Sequence, residues 1–428
     1  TKMFRMVLNK VVIILALVAL AKTRRAPHAD SVEDLFKSAP QLRYSTDIEE
    51  DSLLDVPGLI QKYGYPQETH NIITSDGYIL EAHRIPYGRN NHNTPGPRPV
   101  VLLMHGLLSS SADFIVLGPG DALGYVLAEA GYDVWLGNAR GNYYSRKHTT
   151  LDPDSRFNQN FWRFSWDEIG NHDLPALIDY ILAETGQEKL HYVGHSQGGT
   201  SFLVLNSLRP EYNSKFISFQ GLAPASYFNN NNVSMFQTLA PYETIIETTA
   251  FAMGQSEIFG SSDFISWFTS NYCEEETIFS PLCSGVLSGL NEREYYNATM
   301  VPLFMAHAPA GASVRQIAHY GQVIRFNAFR RYNFNPITNL SVYGRTSPPE
   351  YDLSRITVPS YIYYGLSDNE VNYRDIYLLA ENLRNSPLKL IRSMRESFNH
   401  FDFIWAKDVR SVVYENLLKS LKDAESKL

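Results

Sequence analysis

The run KLHYVGHSQGGTSFLVLNSL, residues 189–208, decides how the rest of the chain is read. Its opening, Leu190-His191-Tyr192-Val193, is strand-like, and the stretch that begins at Thr200 reads as a helix. Between them stands Gly194-His195-Ser196-Gln197-Gly198, followed by Gly199. A serine flanked in this way fits a strained strand-to-helix turn that projects its hydroxyl, with glycines relieving crowding against neighbouring strands. A Gly-rich structural turn shares the five-residue pattern, but the strand before it and the helix after it are the context that a nucleophile needs.

Outward from this turn, short apolar strands alternate with helices. NIITSDGYILEAHRI, from Asn71, reads as two strands around an Asp76-Gly77 turn. RPVVLLMHG supplies a buried strand ending at Gly106, residues 122–130 a helix, residues 132–138 another strand, and residues 169–184 a long helix. The rhythm resumes with VPSYIYYGLSD from Val358, a helix over 372–384, the strand LKLIRSM and a terminal helix from about Ile404. This alternation implies the α/β class, with a mostly parallel central sheet covered on both faces. Over residues 226–347 it gives way to Asn-rich, aromatic and helical segments, which read as an inserted, mainly helical cap. The core then comprises 22–225, with an N-terminal extension, and 348–428.

A serine hydroxyl needs an imidazole base, and the base needs an acceptor to set its tautomer. In the order nucleophile, acid, histidine, the histidines beyond Ser196 are His307, His319 and His400. The first two fall in the proposed cap, whereas His400, in SFNHFDF, follows the last core strand and is the preferred base. Asp368, in YYGLSDNEV, directly follows a strand and is the preferred acid; Asp402 is the alternative, although it lies close to His400 in sequence. His105-Gly106-Leu107 follows the strand LLM at the place of an oxyanion loop, so the backbone N–H groups of Leu107 and Gln197 are candidates to stabilise a tetrahedral oxyanion. His105 precedes the nucleophile and reads as a structural ligand of nearby loops.

Composition narrows the function classes. With 428 residues, 44% of them hydrophobic, the chain can bury a large core, and a net charge of -8 without a basic stripe excludes a nucleic-acid partner. Arg5 and Lys10 precede an apolar run that ends in Ala19-Leu20-Ala21, the pattern of a leader over residues 1–21 that is too short for a transmembrane anchor. A secretory route makes Cys273 and Cys283 candidates for a disulfide, with two buried thiols as the alternative. It also makes Asn232, Asn297 and Asn339 glycosylation candidates wherever they are exposed. There is no H-E-x-x-H string and no multi-cysteine zinc pattern.

Taken together, DVPGLIQKYGYPQETHNIITSDGYIL, HGLLSSSADF, GYDVWLGNARGN, GHSQGG, YYGLSDN and FNHFDF resemble the acid lipase family of animal lysosomal and gastric lipases and their insect relatives, over nearly all of the presumed mature chain. The resemblance implies an α/β-hydrolase that cleaves neutral lipid esters such as triacylglycerols or sterol esters at lipid–water interfaces. It places Ser196, Asp368 and His400 in the catalytic positions and Leu107 and Gln197 in the oxyanion hole, with a mobile cap and no organic cofactor. Cys273 and Cys283 resemble the cap disulfide of relatives. The destination, secreted or lysosomal, stays open. Two other classes share these features: a binding protein on a retired lipase fold, and a short-chain esterase or peptidase with the same acyl-transfer groups.

Overall fold

A computed structural model describes residues 46–230, 237, 240–259, 295–297 and 300–427. The strands are β1 (Glu68–Ile73), β2 (Tyr78–Ile85), β3 (Val100–Met104), β4 (Asp133–Gly137), β5 (Lys147–His148), β6 (Leu190–His195), β7 (Phe216–Leu222), β8 (Glu257–Ile258), β9 (Ala312–Ser313), β10 (Ser360–Tyr364) and β11 (Leu388–Arg392). One sheet runs β1-β2-β4-β3-β6-β7-β10-β11, with β5 paired to β2, while β8 and β9 form a separate pair. From β4 to β11 every pairing is parallel; β1 and β2 form an antiparallel hairpin at one edge. That hairpin closes at Gly77, whose positive φ of 96° suits the turn foreseen at Asp76-Gly77.

Every residue of β3, β4, β6, β7 and β10 is buried. This follows from strand sequences that are apolar on both pleat faces and are covered by helices such as Leu123–Glu129, Leu174–Thr185, Gln197–Leu208 and Glu415–Glu425. Each fully buried Val, Leu or Ile contributes about 1.5–3 kcal/mol, so the central strands are where the sheet is most firmly held. The edge strand β11 returns to mixed exposure.

Two features depart from the sequence expectations. β7, in FISFQGL, is an additional parallel strand next to β6. The terminal helix is broken: a short helix over Asp402–Trp405 precedes a wider turn at Arg410–Tyr414, which leads into Glu415–Glu425. Between β7 and β10 the regular structure of the described residues is mainly helical, with helices at Glu243–Ala252, Val301–His307, Val314–Phe326 and Pro336–Tyr343.

Parallel register brings the loops after β3, β6 and β10 to one end of the sheet. Met104 pairs with Gly194, and Leu222 pairs with both His195 and Tyr363. This carboxyl end is where open α/β sheets place their ligands. Among the described residues, no helix is long and apolar enough to cross a membrane.

Candidate active site

Ser196 sits between β6 and the helix Gln197–Leu208 with φ 49° and ψ -113°. A non-glycine residue in such a conformation costs on the order of 1–3 kcal/mol and persists only where its surroundings enforce it. Here they do. Ser196 N–H donates to Leu222 O at 2.9 Å, and its carbonyl accepts from Thr200 N at 3.1 Å and Ala225 N at 3.2 Å. Thr200 Oγ1 closes the ring by donating to Ala225 O at 2.5 Å. The turn also depends on close backbone approach: a Cβ on Gly198 would lie 2.2 Å from Met104 O. Glycine there lets the helix start directly against β3.

The loop after β3 turns immediately beside the serine. Ser109 N–H donates to Gly106 O at 3.4 Å, and Leu108 occupies the third position of this turn with φ 61°. A Cβ built on Gly106 would be 3.3 Å from Ser196 Cβ, so the two turns are in contact. Among the described residues, neither Leu107 N–H nor Gln197 N–H donates a hydrogen bond. His105 holds the loop from below: its Nδ1 meets Gly106 O at 2.8 Å and its Nε2 accepts from Ala139 N at 3.1 Å. Burial pushes its pKa down to about 4, as expected of a neutral structural ligand.

His400 Nδ1 lies 2.9 Å from Asp368 Oδ2. The other carboxylate oxygen of Asp368 accepts from Glu370 N at 3.0 Å and Val371 N at 2.7 Å, which orients the acid. An ionised carboxylate only accepts, so the proton of this pair resides on Nδ1 and Nε2 is left as the basic nitrogen. Burial disfavours the His400 imidazolium, but the charge and hydrogen bond of Asp368, with a further contribution from Glu370, outweigh it and hold the pKa above the ordinary histidine value. The two loops meet at Gly365, where a Cβ would lie 2.1 Å from Phe398 O.

Two of the other candidates, His319 and Asp402, are engaged elsewhere. His319 stacks on Trp166 with centroids 3.6 Å apart and bridges Ser165 Oγ and Arg330 O; burial takes its pKa down to about 3. Asp402 accepts from Asn399 N at 2.8 Å and pairs with Tyr296 and Arg395, so it braces the His400 loop instead of facing the ring.

Sequence reasoning passed over two residues at this site. His195, directly before Ser196, has its Nε2 3.0 Å from His400 O and its ring centroid 4.8 Å from that of His400. Burial, reinforced by the charge of His400, keeps its pKa well below the usual value, so it is neutral and donates to that carbonyl. Glu370 brings a second carboxylate to the same ring. Neither role has a signature in sequence spacing.

Cys273, Cys283 and Asn232 lie outside the described residues. Asn297 is exposed. Asn339 requires a correction: it is fully buried, its Nδ2 donates to Asn333 Oδ1 at 2.6 Å and Thr346 O at 3.0 Å, and its Oδ1 accepts from Phe334 N. The nitrogen that would carry a glycan is consumed inside the fold.

Comparison with known proteins agrees with this architecture. Residues 56–118 match a family model described as the partial alpha/beta-hydrolase lipase region, and residues 99–240 match the alpha/beta hydrolase fold. Lipase 1 of Drosophila melanogaster is 42% identical over 397 residues, covering 91% of this chain and 84% of its own. Rat (Rattus norvegicus) gastric triacylglycerol lipase is 36% identical, covering 86% and 92%, and human (Homo sapiens) lysosomal acid lipase/cholesteryl ester hydrolase is 35% identical, covering 88% and 93%. With this fold and these relatives along most of its length, the chain belongs to the acid lipase family of α/β-hydrolases and is a serine ester hydrolase.

Proposed function

We propose that the protein hydrolyses neutral lipid esters, triacylglycerols or sterol esters, through Ser196, His400 and Asp368. The observation that carries the reading is the convergence at one sheet end of a strained, exactingly braced serine, an imidazole whose Nδ1 is occupied by a carboxylate, and two backbone N–H groups without partners among the described residues. His400 Nε2 takes the Ser196 hydroxyl proton as Oγ attacks the ester carbonyl carbon. The oxygen of the resulting tetrahedral species is stabilised by Leu107 and Gln197 N–H. His400 then returns the proton to the leaving alcohol, and an acyl-enzyme remains. Water attacks that ester in a second round, with the same proton transfers, and releases the fatty acid.

The substrate class rests on the relatives and on the segment between β7 and β10. The names of the rat and human relatives specify triacylglycerol and cholesteryl ester. Residues 226–347 are proposed as the cap. In its helix Glu243–Ala252 the buried residues include Glu243 and Glu247, whereas Ile245 is 53% exposed, which suits a surface turned towards lipid. Burial offers about 0.8 kcal/mol per methylene, so a long acyl chain gains binding that a short ester lacks. The leader proposed for residues 1–21 and the gastric and lysosomal relatives favour a secretory route, with contact to lipid–water interfaces.

The test is a kcat/KM series over triacylglycerols, sterol esters and short soluble esters, with Ser196→Ala as the blank. Preference for long-chain esters presented in droplets is expected. Preference for short soluble esters, without activation at an interface, overturns the lipid assignment and leaves the serine esterase chemistry standing.

A further inference from the structure

The loop after β10 carries a carboxylate that the serine mechanism does not require. Glu370 follows Asp368 by two positions, and its backbone N–H is one of the two that fix Asp368 Oδ1. One carboxylate oxygen of Asp368, one of Glu370 and one ring nitrogen of His400 all lie within 4.8 Å of one another. Glu370 is half-buried, and Asp368 and His400 are buried. The imidazole therefore faces two acidic side chains from a single loop, although a catalytic histidine needs only one acceptor.

We propose that Glu370 is a positioning residue for the same reaction, a second counter-charge to His400 that sets the pH at which the imidazole becomes available as a base. The proposal rests on the reading of His400 as that base.

Among the described residues, the titratable groups facing His400 include Asp368 and Glu370 from the loop after β10 and His195 from the end of β6, and those facing Glu370 include His400 and Asp368. Burial raises the Glu370 pKa, the charge of His400 opposes that rise, the charge of Asp368 adds to it, and the net direction is upward. The three groups thus titrate as a set whose apparent values belong to the set and not to one residue. While Glu370 is ionised, it favours the imidazolium and delays the appearance of the free base. Removing its charge should make His400 a base at lower pH.

The experiment measures two pH profiles: kcat/KM for a short soluble ester, and the rate of Ser196 labelling by a fluorophosphonate probe. Wild type, Glu370→Gln, Glu370→Asp and His400→Ala are compared. A unit charge at this separation, at a dielectric between those of protein and water, moves the acid limb by about one pH unit, so the limb of Glu370→Gln should lie about that far below wild type in both profiles. Glu370→Asp should keep most of the wild-type position. A Glu370→Gln limb that coincides with the wild type in both measurements overturns the proposal. So does a Glu370→Asp limb that moves as far as that of Glu370→Gln, because it would indicate disrupted packing instead of lost charge. His400→Ala separates the two readings: retained turnover in that variant defeats the assignment of the base, whereas lost turnover with an unmoved Glu370→Gln limb defeats only the role of Glu370.

Discussion

Gly198→Ala tests how closely the Ser196 turn is fitted. The added Cβ would sit 2.2 Å from Met104 O, 2.8 Å from Met104 C and 3.1 Å from His105 O. All three are backbone atoms, so no side chain can swing aside. Normal carbon–oxygen contact requires about 1 Å more than the closest of these distances, and the helix Gln197–Leu208 must move away from β3 by a comparable amount. That displacement separates Gln197 N–H from Leu107 N–H and shifts Ser196 relative to His400. Overpacking of this kind costs about 1–3 kcal/mol, and a misplacement of about 1 Å at reacting groups costs about 100-fold in rate. The assay is kcat/KM on a soluble ester together with the denaturant midpoint. Gly58→Ala is the control: its Cβ meets only side-chain atoms, none closer than 3.1 Å. Wild-type turnover in a folded Gly198→Ala variant would refute the argument that the turn is held by backbone contact.

Asp402→Asn should destabilise the fold by about 3 kcal/mol, read from the denaturant midpoint, because it removes the charge from the buried Arg395 pair and weakens the brace behind His400. It should slow turnover less than Asp368→Ala; a larger loss of turnover would return the acid role to Asp402. Burial raises the Asp113 carboxyl to about 7, so the stability it contributes is full below the unfolded value near 4 and is lost as pH rises through 7. Asp113→Asn should therefore gain up to about 4 kcal/mol relative to wild type between pH 4 and 8, seen as a rising difference in melting temperature; a pH-independent difference would contradict it. Glycopeptide mapping of protein from a secretory host should find Asn339 unoccupied, and a glycan there would show that the burial described is wrong.

The parts of the site that were legible in sequence are those whose physics is local. The Ser196 turn needs a strand, small flanking residues and a helix within a single run, and all three are written consecutively in residues 189–208. The order of Asp368 and His400 was accessible because Asp368 comes soon after β10 and His400 lies in the loop beyond β11. β7 was harder: FISFQGL is buried on both faces, has no alternation and follows the irregular helical turn Pro210–Lys215. The burial of Asn339 and the orientation of Glu370 depend on which groups the folded chain brings opposite them. A three-residue acceptor pattern, or two acids two positions apart in a loop, is the same string whether exposed or enclosed.

Covalent labelling tests the central claim most directly. Wild type and the Ser196→Ala, His400→Ala and Asp368→Ala variants would be treated with a fluorophosphonate and the adduct mapped by peptide mass spectrometry, with folding checked by circular dichroism. The account predicts a single adduct on Ser196 in the wild type, none in Ser196→Ala, and strongly slowed labelling in the other two variants. An adduct on another residue, or undiminished labelling in folded His400→Ala, would contradict it.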